Sequence, residues 1–91
     1  MTKASEELKR IQIEDDIDRI ELFGNMDANL NLIQDNTGVE IFQRDDCLLL
    51  RGEEIGLAEN ILKELMAVQR SGEHLDVQKV NYIIGLEKQG L

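Results

Sequence analysis

Proline is absent from the 91 residues, so chain reversals fall to glycine and to short polar pairs. The single cysteine, Cys47, excludes an internal disulfide and a multi-cysteine zinc site. It opens an apolar strand pattern, where a small buried hydrophobe is the ordinary role, and no neighbour in sequence marks it as a reactive thiol. Phe23, Phe42 and Tyr82 are the only aromatic residues, too few for a platform on which single-stranded bases stack. Basic residues number 10 against 19 acidic ones, for a net charge of −9. Such a balance repels nucleic acid and anionic membrane over most of the surface and leaves a local basic patch as the only route to either. Apolar runs are too short for a transmembrane helix. One cysteine and no signal peptide point to the reducing cytoplasm. With 42% hydrophobic residues the chain has material for one core of Ile, Leu, Val and Met. A domain of this size buries roughly 60–65% of its unfolded surface, which leaves little for a deep enzyme pocket.

What is present is organised around residues 24–41. A glycine-bearing turn at Gly24 opens an amphipathic helix over about 27–36, with Leu30 and Ile33 on its apolar face and Met26 a turn earlier. Thr37-Gly38 stops it, the glycine suiting the left-handed position past a helix end, and a strand runs on from Val39 to Arg44. Before this unit, Met1 to Lys9 reads as a loose polar tail, Arg10–Glu14 alternates as a half-buried strand, and 16–23 reads as a short helix capped by Asp15 or Asp16. After it, Asp45-Asp46 is a turn and Cys47–Arg51 a strand buried on both faces. The longest helix runs from about Glu53 to Arg70, with Ile55, Ala58, Ile61, Leu62, Leu65 and Met66 as its apolar stripe. Asp76 then caps a last short helix carrying Val77, Val80, Ile83 and Ile84. The order β-α-α-β-β-α, with a C-terminal helical appendage, predicts an α+β domain over 10–70: a three-stranded sheet with helices on one face. Residues 71–91 read as a connector.

The chemistry-bearing residues are sparse. The pairs Asp15-Asp16, Asp45-Asp46 and Glu53-Glu54 fit helix starts and a turn, without the spacing of a calcium loop. His74 stands among Glu73 and Asp76 with no second histidine or cysteine, which fits a solvated loop better than a metal site. No nucleophile is paired with a base. Arg44 and Arg51 flank the hairpin, within reach of nucleic acid at a sheet edge. Asp45, Asp46, Glu53 and Glu54 crowd them, so local ion pairing is the expectation.

The regular spacing of Gly24, Leu30, Ile33, Thr37, Gly38, Val39 and Ile41, continued by Gly52, Ile55, Ala58, Ile61 and Leu65, resembles a KH domain. A closer resemblance is to the N-terminal domain of PhoH-like proteins. It is carried by Leu22-Phe23-Gly24, Asn29-Leu30, Gly38-Val39, Leu50-Arg51-Gly52, the helix to Leu65 and the segment from Asp76 to Ile84. The resemblance implies a cytoplasmic bacterial protein of the phosphate-starvation-inducible kind, in which this domain precedes a P-loop ATPase domain linked to RNA metabolism. ATP and Mg would belong to that second domain. This chain has no G-x-x-x-x-G-K-[ST], so it takes no cofactor of its own and is expected not to be an enzyme.

The KH pattern carries a Gly-x-x-Gly loop. Here Gly24-Asn25-Met26-Asp27 ends in aspartate, whose charge about 6 Å from a phosphate would cost roughly 0.7–3 kcal/mol. The Asp27 carboxylate is expected to cap the helix on the amides of Asn29 or Leu30, and no Lys or Arg lies between Glu21 and Gln43 to support the loop. Three uses of the loop stay open: a capped scaffold, single-stranded RNA binding through Gly24, Asn25, Met26, Asp27 and Asn29 with Arg44 and Arg51, and docking of a partner domain. Val77, Val80, Ile83 and Ile84 are expected to dock on the ATPase domain or a neighbouring subunit, leaving them partly exposed or folded back in this chain. Serine at Val80 and Ile84 should then leave the core stable. Homo-oligomerisation of the parent protein is compatible with this reading, and a membrane partner is not expected.

Overall fold

The computed structural model describes residues 8–90. Strands β1 (Leu8–Gln12), β2 (Glu40–Arg44) and β3 (Cys47–Arg51) form one antiparallel sheet in the order β1-β3-β2. Helices α1 (Arg19–Phe23), α2 (Ala28–Thr37), α3 (Ile55–Arg70) and α4 (Val77–Lys88) complete an α+β domain with the KH-like β-α-α-β-β-α order, α4 being the addition. The expected tail is shorter than 1–9, since Leu8 and Lys9 already belong to β1; residues 1–7 lie outside the described residues.

One face of the sheet supplies Ile11, Leu48 and Leu50 to the core, and the helices supply Leu22, Leu30, Ile33, Ala58, Ile61, Leu62 and Leu65. The apolar stripe of α3 is the one its spacing predicts, with Ile55 only partly buried at the end. At the close of α2, Gly38 takes φ 76° and its N–H returns to Gln34 O at 2.8 Å. Thr37 Oγ1 donates to Ile33 O at 2.7 Å and accepts from Val39 N–H at 3.1 Å, so the Thr-Gly stop satisfies groups on both sides of the helix end. The Asp45-Asp46 turn joins β2 to β3 in direct register, Arg44 opposite Cys47.

Two expectations near the start of the chain are corrected. The cap of the first helix is Asp18, whose Oδ1 accepts from Glu21 N–H at 3.2 Å, so the helix begins at Arg19 rather than at 16. That start resets the helical phase: Leu22 is fully buried, whereas Ile20 is 84% exposed. Asp16 instead accepts from Arg70 Nε at 2.8 Å. The first strand is likewise earlier than 10–14, because Ile13 has left the ladder and donates its N–H to Asp46 O at 2.9 Å.

The expected connector, 71–91, carries its short helix as α4 within the described residues. Helix α4 packs on α3 and α2, and Val80, Ile83 and Ile84 enter the same core as the sheet. Of the two arrangements expected for these residues, partly exposed or folded back, Val80, Ile83 and Ile84 take the second. Val77 alone of the four stays exposed.

Candidate functional site

The α1–α2 joint is the place where the resemblance puts its loop. Gly24 has φ 84°, and a Cβ there would lie 2.8 Å from Asn29 Cγ and 2.9 Å from the Asn29 nitrogen, so glycine is required for both backbone and space. A single 3-10 turn, Asn25–Asp27, then leads into α2. Met26 (φ 53°) and Asp27 (φ 61°) both take left-handed backbone, which costs non-glycine residues on the order of 1 kcal/mol each.

That geometry overturns three expectations. Asp27 sits at the cap position of α2 but makes no side-chain capping bond, because a cap residue needs extended backbone for its carboxylate to turn back on the helix. Met26 leaves the apolar stripe and stands 89% exposed at the tip. Asn29, grouped with the RNA-facing residues, points the other way. It is the one buried polar residue among those described, and its Nδ2 donates to Glu21 O and Leu22 O, each at 3.2 Å. These carbonyls belong to the last turn of α1, so Asn29 closes that helix end from the next helix. Of the proposed loop contacts, Asn25, Met26 and Asp27 are exposed and Asn29 is withdrawn into the fold.

Glu21 ties this joint to the far end of the chain. Its carboxylate accepts from Gln69 Nε2 at 2.8 Å and Leu75 N–H at 3.2 Å, and bonds His74 Nδ1. Hydrogen bonding from Gln69, joined by Leu75 and His74, outweighs burial and holds the Glu21 carboxyl below its ordinary value. His74 is otherwise solvated, as its polar surroundings predict, but its partner is Glu21 rather than Glu73 or Asp76. Glu21 is absent from the candidates nominated by sequence. A signal for it exists in Asp18-Arg19-Ile20-Glu21, which has the spacing of a capping box and also locates the helix start.

Arg44 and Arg51 do not join the loop. Arg51 pairs across the ladder with Glu40, Nη2 to Oε1 at 2.6 Å, and lies over the Phe42 ring at 5.3 Å from its centre. The acids expected to pair with it are replaced by this cross-strand one, whose side chain emerges on the same face of the sheet. Arg44 makes no ion pair among the described residues. Cys47 is buried and its Sγ donates to Arg44 O at 3.2 Å, a packed thiol. An open, acidic depression of about 520 Å³ borders Gln12, Glu14, Asp15, Asp16 and Asp46. Among the described residues, no group of three His, Cys, Asp or Glu side chains converges as a metal site. No described helix is long and apolar enough to cross a membrane.

Comparisons of the chain with protein-family models, with curated proteins and with solved structures find no match in any of the three.

Proposed function

We propose that this chain is a non-catalytic accessory domain that stands N-terminal to a P-loop ATPase of the PhoH-like kind, in the bacterial cytoplasm, and positions substrate or organises assembly. One observation carries the reading at the α1–α2 joint. Two of the groups that a phosphate-gripping loop would offer to a ligand are committed inside the fold, while Asn25, Met26 and Asp27 stay exposed: Gly24 is packed on Asn29, and Asn29 is bonded to the end of α1. The Asp27 carboxylate at the start of α2 also sets a negative charge where a helix favours an anion. ATP and Mg belong to the domain that the reading places after residue 91, and no step of their chemistry falls to the residues described.

The test is an amide-resolved NMR titration of the chain with short single-stranded RNAs at low salt, with Asp27→Gly run beside it. No shifts in the native chain support the scaffold role. Saturable shifts over Gly24 to Leu30 and Val39 to Arg44 would replace it with a direct RNA-binding module. Sequencing the parent gene beyond Leu91 tests the other half of the reading: a P-loop supports it, and a stop codon removes it. Turnover of ATP by the 91-residue chain itself would also overturn it.

A further inference from the structure

The face of the sheet turned away from the helices carries a pattern that the rest of the molecule does not. The pairings of β1, β3 and β2 set its outward side chains in three rows: Leu8–Arg51–Glu40, Arg10–Leu49–Phe42 and Gln12–Cys47–Arg44. The alternate positions, Ile11, Leu48 and Leu50, go to the core, which fixes the direction of the three rows. Leu8 is 59% exposed and Phe42 41%, with Leu49 half-buried beside Phe42. A shallow depression of about 370 Å³ runs between Leu8, Phe42, Arg44, Leu49 and Arg51.

Charge sets this face apart. Arg10, Arg44 and Arg51 stand against Glu40 and against Asp46, whose carboxylate accepts from Gln12 at 2.7 Å at one end of the face, a net +1 on a chain of net −9. Glu40 is already paired to Arg51, and neither Arg10 nor Arg44 has an ion-pair partner among the described residues. An apolar strip bracketed by unpaired arginines is complementary to a ligand that is apolar in the middle and anionic at both sides.

Size selects among such ligands. Three strands of this length span about 14 by 17 Å, or roughly 240 Å². A stable pair of globular subunits needs about 800 Å² from each partner, so a second copy of this chain is too large an occupant for this face alone. Nucleic acid fits poorly: one aromatic side chain stands on the face, its ring is held under the Arg51 guanidinium, and the surrounding domain is anionic. Strand addition at the β2 edge is hindered as well, because the outward N–H of Ile41 is taken by Gln34 Oε1 at 2.8 Å. A segment lying across the face meets neither obstacle. We propose that the open sheet face docks a short polypeptide segment of a partner protein, carrying carboxylates on both sides of a bulky apolar side chain. This surface is separate from the α1–α2 joint and does not depend on a domain beyond residue 91.

Fluorescence anisotropy of the 91-residue chain tests it, using as probe a fluorescein-labelled peptide with a Leu-Phe pair flanked by glutamates. Controls are the same peptide with glutamines, the same peptide with glycines for Leu-Phe, and a labelled oligouridylate. The glutamate peptide should bind, weaken with added salt, and outcompete both altered peptides. Arg10→Glu with Arg44→Glu should weaken it by about tenfold or more. Both arginines are exposed and make no ion pair among the described residues, so the variant should unfold at the native temperature, which circular dichroism checks. Affinity unchanged in the double variant overturns the proposal, as does the absence of any peptide binding. Oligouridylate displacing the peptide would assign the face to nucleic acid instead. Concentration-dependent dimers, abolished by Arg44→Glu in sedimentation velocity, would assign it to a second copy.

Discussion

The two joints between helices begin from similar chemistry and end in opposite states. Each closes with an aspartate before a helix: Asp27 before α2 and Asp76 before α4. Asp76 has extended backbone (φ −115°, ψ 175°) and its Oδ1 accepts from Lys79 N–H at 2.8 Å. Asp27 has φ 61° and caps nothing. The difference lies in what precedes each. The α3–α4 joint runs through Ser71–Leu75 and is drawn in by the Leu75 N–H on Glu21, leaving Asp76 free to take the cap geometry. The α1–α2 joint is only one 3-10 turn long and must complete its turn between Gly24 and Ala28, so its backbone is left-handed where a cap would be extended. In this chain the aspartate caps its helix where the connection is the longer of the two.

The largest expected effect comes from removing what the second joint delivers. Val80 is fully buried by α4 folding back on α3 and α2. Val80→Ser removes apolar contact and buries a hydroxyl, and should cost about 2–4 kcal/mol in urea unfolding. A cost under about 0.5 kcal/mol would mean that α4 lies free in solution, as a docking arm would. Next in size is Asn29→Ala at the first joint. It strands the Glu21 and Leu22 carbonyls at the end of α1 and should cost about 1–3 kcal/mol.

How much of this is legible in the sequence depends on the range of the forces involved. The order of elements, the α3 stripe, the Thr-Gly stop and the Asp76 cap are set by neighbours within a turn or two, and each is readable from spacing. The start of α1 is not, because Asp15, Asp16 and Asp18 are all plausible caps. The choice among them is made by Arg70, more than fifty residues away, which claims Asp16. The reading of Asn29 as outward and Asp27 as capping fails for a related reason. Their directions depend on how tightly the turn between two helices closes, which composition does not report. The buried fate of Val80, Ile83 and Ile84 is equally open in sequence, because an apolar helical face says that something covers it and not what.

Glu21 touches both joints. Its folded carboxyl lies below the ordinary value near 4.5, so the unfolded state takes up the proton first as pH falls. The stability it contributes is complete above that ordinary value and is lost as pH drops through the folded one. Glu59, held low by its Lys63 bond, acts in the same direction. Glu21→Gln should flatten the acid limb of stability against pH, measured by thermal melts from neutral pH downward. An unchanged limb would mean that the Gln69, Leu75 and His74 contacts do not persist in solution. Asp76→Ala, by comparison, should cost about 1 kcal/mol at neutral pH through the lost cap.

The smallest effect is the most discriminating between the two aspartates. Asp27→Gly removes no hydrogen bond, since the carboxylate makes none on α2, and it relieves left-handed strain worth on the order of 1 kcal/mol. The glycine also loosens the unfolded chain, which takes back about half of that gain. The expected net is a stabilisation of a few tenths of a kcal/mol, resolved as a small rise in melting temperature. Asp76→Gly, at a position with ordinary extended backbone and a working cap, should move the other way. If Asp27→Gly also lowers the melting temperature, the carboxylate is making a capping bond in solution. The first joint would then resemble the second, and the short turn would not be what separates them.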